Sequence, residues 1–234
     1  MKVFISVDIE GVTGINSWSE TELGNPDHAQ FKDQMTRETV AACEGAIAMG
    51  AKEIFVKDAH DSARNIDMMK LPKCVRLSRG WASNPDSMMA GLDESFDAAL
   101  FVGYHSAAGY NGNPLAHTMT TNLNYIKING ELASEYVLNS YVAAGYGVPV
   151  TFLSGDKMLC EKTKDLNPNI VTVAVKECEG GATISLNPEY ACELISEGVA
   201  DLQCKGVKYL TDELMLEFGI MEHKGYPKDL VHTK

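Results

Sequence analysis

Five short apolar runs, Val3–Val7, Glu53–Val56, Ala98–Val102, Val150–Leu153 and Val171–Val175, are separated by longer stretches, most with helical spacing. Strands of that length alternating with helices are the pattern of an α/β fold, a mainly parallel sheet flanked by helices. The clearest helix covers roughly 29–49, where Phe31, Met35, Val40, Cys43 and Ile47 recur at steps of three to five and Gly50 supplies the stop. The spacing predicts further helices over 131–146 and 188–202, the latter capped by Asn187 with Pro188 in its first turn. Residues 125–130 read as a short strand ending in a turn, paired antiparallel with 118–121.

At 234 residues the chain can bury a substantial core. A formal net charge of −12 and the absence of clustered Lys and Arg exclude a general nucleic-acid surface. No apolar stretch is long enough to span a membrane. Asp8 and Glu10 fall where a signal peptide would need its apolar centre, so the expected compartment is the cytoplasm. Cys43, Cys74, Cys160, Cys178, Cys192 and Cys204 form no close pair, so neither a zinc knuckle nor a disulfide framework is indicated.

In an open α/β sheet, ligands bind at the carboxyl ends of the strands. Asp8 and Glu10 follow the first run, Asp58 and His60 the second, and His105 the third. Residues i and i+2 of a strand point to one side, so Asp8 and Glu10 can converge on one ion. Carboxylate and imidazole suit a divalent cation such as zinc, and an Asp can bridge two of them. Each residue also has an ordinary reading: Asp8 as a turn cap, His60 bonded to loop backbone, His105 as a satisfied structural histidine. Three such coincidences at successive strand ends are much less probable than one. His117, beyond the glycine-rich 109–113 loop, can enter the same cleft as acid, base or nucleophile, or can be a plain strand residue. Glu135 early in a helix also suits the helix dipole. His28, His223 and His232 lie in polar surroundings away from these rims and are given no role.

The opening Ser6-Val7-Asp8-Ile9-Glu10-Gly11-Val12-Thr13-Gly14 resembles the S-x-D-x-E-G-x-x-G start of the bacterial zinc-dependent D-aminopeptidase family. Further blocks resemble that family in order, among them Asp58-Ala59-His60, Gly103-Tyr104-His105, Ala116-His117-Thr118-Met119, Glu135-Tyr136-Val137 and Gly155-Asp156. The resemblance implies a dinuclear zinc site on Asp8, Glu10, His60, His105 and Glu135, with Asp8 bridging, and His117 as the catalytic residue. It also implies hydrolysis of N-terminal residues from short D-amino-acid peptides such as D-Ala-D-Ala, two zinc ions per subunit and a homodecamer enclosing its active sites. Asp58 is expected to orient neighbouring groups from behind the ligands. The likeness runs to about Leu202, which divides the chain into an α/β metallopeptidase domain, 1–204, and a divergent C-terminal segment, 205–234, short beside the family's own.

Two rivals remain open. Asp8-Ile9-Glu10-Gly11-Val12-Thr13 is close to the D-x-D-G-T opening of haloacid-dehalogenase-type magnesium phosphatases, with Gly155-Asp156 as their later acidic motif. That mechanism gives no task to His60, His105 and His117. The other rival is a non-catalytic protein that binds metal or a small ligand in an assembly.

Overall fold

A computed structural model of the chain describes residues 1–203; the 205–234 segment, with His223 and His232, lies outside the described residues. In chain order the elements are β1 (Lys2–Val7), α1 (His28–Ala48), β2 (Glu53–Asp58), β3 (Val75–Ser78), β4 (Ala98–Tyr104), β5 (Lys127–Ile128), β6 (Glu131–Leu132), α2 (Glu135–Gly145), β7 (Val150–Asp156), α3 (Lys157–Leu166), β8 (Val171–Glu179), β9 (Ala182–Ser185) and α4 (Pro188–Ala200). Seven strands form one sheet in the order β3-β2-β1-β4-β7-β8-β9, and every pairing is parallel except β8 with β9. The mainly parallel α/β architecture is therefore as expected. Among the described residues no helix is long and apolar enough to cross a membrane.

The apolar strands are apolar because both faces of the sheet are covered. All seven residues of β4 and all seven of β7 are buried. On one face, Val3, Ile5 and Val7 pack with Met35, Ala42 and Ala46 of α1 and with Ala191, Ile195 and Val199 of α4. On the other, Phe4 and Phe101 pack with Tyr136 and Ala143 of α2 and with Leu159 and Cys160 of α3. Truncating such a side chain, Phe101→Ala for example, is expected to cost about 3–5 kcal/mol.

The topology reverses direction between β1 and β4, since the chain goes outward from β1 to β2 and β3 and then returns to the far side. A crevice opens at the carboxyl edge of such a switch point. The short elements differ from expectation. The 125–130 segment pairs not with 118–121 but with the residues just after it: Lys127 lies opposite Leu132 and Ile128 opposite Glu131. Asn129 and Gly130, both at positive φ, make that two-residue turn. Residues 131–132 are thereby taken into a strand, and the helix starts at Glu135, where the Ser134 hydroxyl accepts the Val137 N–H.

Candidate metal centre

Asp8 and Glu10 meet, though not through strand alternation, because β1 ends at Val7. The chain instead turns, with Val12 N–H donating to Ile9 O and Gly11 N–H to Gly103 O. A Cβ on Gly11 would lie 1.8 Å from Tyr104 O, and one on Gly103 would lie 2.4 Å from Asp8 O. Only glycines let these two strand ends approach so closely. The contact carries Asp8 and Glu10 up to His105, the residue after β4.

Around this point six side chains gather. His60 Nδ1 lies 3.2 Å from Asp8 Oδ1 and 3.1 Å from Glu10 Oε2. His105 Nε2 lies 3.4 Å from Asp8 Oδ2 and 3.5 Å from Glu135 Oε2. His117 Nε2 lies 3.6 Å from Glu135 Oε1 and 4.0 Å from Glu10 Oε1. Each imidazole gives its other N–H to a backbone carbonyl: His60 Nε2 to Thr21 O, His105 Nδ1 to Ser106 O and His117 Nδ1 to Leu115 O, all at 3.0 Å. Metal-binding histidines are oriented in this way, with the remaining nitrogen aimed at the ion.

The residues fit a cation by a second test. Asp8 Oδ2, both Glu10 carboxylate oxygens and His105 Nε2 are buried without a hydrogen-bond partner. Buried polar atoms left without hydrogen bonds cost free energy, and bound divalent cations would give them partners. Three overlapping sets can offer ligand atoms within 4.8 Å of one another: Asp8, Glu10 and His60; Asp8, His105 and Glu135; Glu10, His105 and His117. Asp8 belongs to two, through different oxygens.

The charges point the same way. Burial, reinforced by the Glu10 and Glu135 carboxylates, pushes Asp8 well above the usual carboxylate range. Burial alone would do the same to Glu10 and Glu135, but the facing imidazoles hold both below it. Burial disfavours the charged form of His60 and His105, yet the carboxylates outweigh it, raising His60 well above its ordinary value and His105 to about 10. In the metal-free protein, protons on the rings thus balance the carboxylates. Metal binding needs those lone pairs, so zinc loading at pH 7 is expected to release protons from His60 and His105, making apparent affinity rise with pH. Calorimetry in buffers of different ionisation enthalpy measures the release; a buffer-independent heat would contradict it.

Supporting residues lie one layer back. Asp58 Oδ2 accepts the N–H groups of Asn65 and Ile66, and Asn65 Nδ2 donates to Asp58 Oδ1 and His60 O, so Asp58 shapes the loop behind His60. His28, given no role from sequence, is buried at the head of α1. Asn113 Nδ2 and Lys176 Nζ both donate to Glu10 O, at 2.9 and 2.6 Å, and Lys176 also reaches Ile15 O. Sequence reasoning missed Asn113 and Lys176; a single lysine in Val171–Glu179 carries no signal that it points inward from β8. Lys176→Met is expected to weaken zinc binding by about tenfold or more, by freeing the Glu10 loop. Competition with a chelator of known affinity measures this.

Asp156 stands apart from the cluster. Its Oδ1 accepts the Ser106 hydroxyl and the Leu159 N–H that starts α3, and its Oδ2 accepts the Ser106 and Asn113 N–H groups. A carboxylate so committed does not serve as the later metal ligand of a phosphatase. The cluster opens into a cleft of about 530 Å³ walled by Trp18, Trp81, Met88 and Met119, with Glu22 and Asp61 also lining it. Among the described residues lining it there is no Lys or Arg to receive a phosphate.

A carboxylate–imidazole cluster at the switch point of a parallel sheet is the makeup of a metallohydrolase. More narrowly, the chain belongs to the D-aminopeptidase family of M55 peptidases, whose profile matches residues 1–218. It is 33% identical over 201 residues to the D-aminopeptidase of Bacillus subtilis (strain 168), covering 86% of this chain and 73% of that one. The fold also matches that of the Zn-dependent D-aminopeptidase DppA from Bacillus subtilis, a self-compartmentalizing protease, with a TM-score of 0.82 and 33% identity. That match covers 88% of this chain and 75% of DppA.

Proposed function

We propose that this chain is a zinc-dependent aminopeptidase that removes the N-terminal residue, a D-amino acid, from short peptides such as D-Ala-D-Ala. The reading assigns Asp8, Glu10, His60, His105 and Glu135 as ligands of two zinc ions, with Asp8 between them, and His117 as the catalytic residue. The observation that carries it is the pair of ligand sets that share Asp8, whose Oδ1 faces His60 and whose Oδ2 faces His105. D-stereochemistry rests on the family, and zinc on its Bacillus subtilis member.

When bound, zinc supplies Lewis-acid polarisation of the scissile carbonyl and an acidified water. The chain's own residues supply position and protons. His117 is held at Nδ1 by Leu115 O, stacked on His105 with ring centroids 4.4 Å apart, and flanked edge-on by Trp18 at 5.4 Å. It is the most exposed histidine of the cluster, and its Nε2 can carry a proton to the leaving amine. Glu22 and Asp61 make the cleft favourable to a peptide's free ammonium and unfavourable to a phosphate. Their charge, with the commitment of Asp156, favours peptide hydrolysis over phosphatase chemistry.

Purified zinc-loaded protein is expected to hydrolyse D-alanyl dipeptides and to leave a phosphate ester with magnesium intact; the reverse result would overturn the reading. The subunits form a homodecamer in this proposal, after the self-compartmentalizing relative, and light scattering should give the mass of ten 25.5 kDa chains. A monomer would exclude it. Free thiols at Cys43, Cys74, Cys160, Cys178 and Cys192 fit a reducing compartment such as the cytoplasm.

A further inference from the structure

The chain has two tryptophans, and both line the metal cleft. Trp18 is accounted for by its contact with His117. Trp81 touches none of the cluster's six side chains through any ring contact or hydrogen bond described, yet it is held firmly. Its indole N–H donates to Asp61 O at 2.7 Å, and the Lys57 ammonium sits 4.5 Å from its ring centroid. Lys57 is itself buried and anchored, donating to Asp58 O and Gly80 O at 2.8 and 2.6 Å, while Gly80 N–H returns to Ala63 O. Asp61 and Ala63 hold left-handed backbone, φ 40° and 50°, in the loop just after His60. Positions of that kind persist only where the surroundings over-determine them, often at ligand clamps.

A large aromatic ring left 43% exposed is ordinarily free to move, but this one is clamped at its N–H and one face. Preorganised aromatic surface beside a reaction centre gives binding area with little ordering cost. Met88 and Met119 extend the apolar wall, and both are adaptable in shape. On the peptidase reading above, we infer that Trp81 is a specificity-determining residue. It forms a rigid apolar wall against a side chain of the bound peptide and selects apolar residues over small or acidic ones.

The test compares D-Ala-D-Leu with D-Ala-D-Ala on zinc-loaded wild-type, Trp81→Ala and Trp81→Phe proteins. Trp81→Ala is expected to raise KM for D-Ala-D-Leu about three- to tenfold, with a smaller rise for D-Ala-D-Ala. Its kcat and zinc content should hold, and Trp81→Phe, which keeps an aromatic wall but loses the N–H clamp to Asp61 O, should give a KM between those of wild type and Trp81→Ala. Unchanged KM in Trp81→Ala overturns the inference, as does loss of zinc and kcat at constant KM, which would make Trp81 only a prop for the His60 loop. A second measurement leaves Trp81 in place: in Trp18→Phe it is the only tryptophan, and its stopped-flow fluorescence, excited selectively over tyrosine, should change with peptide at a half-saturation near KM. A flat signal at saturating peptide overturns the inference. Wild-type protein inactive on both peptides would instead sink the peptidase reading, and this inference with it.

Discussion

Asp8→Asn is expected to lose both zinc ions and all measurable peptidase activity while keeping its fold. Asn has nearly the shape of Asp and can still accept the Ile9 N–H that Asp8 Oδ1 accepts. What it lacks is the negative charge that the two ligand sets share. Removing one of three buried carboxylates also relieves repulsion from Glu10 and Glu135, so the metal-free variant has no electrostatic reason to unfold. Glu135→Gln, by contrast, touches only one set that contains Asp8 and should leave about one zinc per chain, the stoichiometry expected when one of two sites loses a ligand. Elemental analysis after exhaustive dialysis, beside circular dichroism, separates the two variants. One full equivalent of zinc retained by Asp8→Asn would show that Asp8 does not bridge.

His117→Ala is expected to keep its zinc and lower kcat by about 10²–10⁴-fold, the range for loss of a positioned acid or base. Its Nε2 lies farther from the carboxylates than His60 Nδ1 does, and its side chain is partly open to the cleft. Those features suit a group that meets substrate. A specific contrary observation exists, since Glu10, His105 and His117 also form a compact ligand set. Metal content decides between them: a variant that loses zinc along with activity would make His117 a ligand, and undiminished kcat would remove it from the chemistry.

The strand ends were readable in sequence because burial writes them as apolar runs and because chemistry follows at fixed offsets: Asp8 and Glu10 after β1, His60 after β2, His105 after β4. Their convergence was anticipated, but by strand alternation, whereas the turn over Gly11 and Gly103 achieves it. Close approach of two backbones leaves only glycine as its mark, and glycine marks much else. β3 was missed because Val75–Ser78 is four residues long, half-buried at the sheet edge and too short for a period. The β5–β6 hairpin is half legible: Asn129-Gly130 declares a turn, but the spacing of the residues after it reads as helix from Glu131 onward. Lys176 and Asn113 carry no signal in sequence because each acts on a carbonyl, Glu10 O, 166 and 103 residues away in the chain. Long-range bonds to backbone impose no residue pattern at either end.

The most direct test is peptidase activity recorded as zinc is added back to metal-free protein, with D-Ala-D-Ala and L-Ala-L-Ala followed in parallel. The account predicts that hydrolysis of the D,D peptide climbs until two equivalents of zinc per chain are bound and exceeds that of the L,L peptide throughout. Activity complete at one equivalent, or an L,L peptide cleaved as fast, would contradict it.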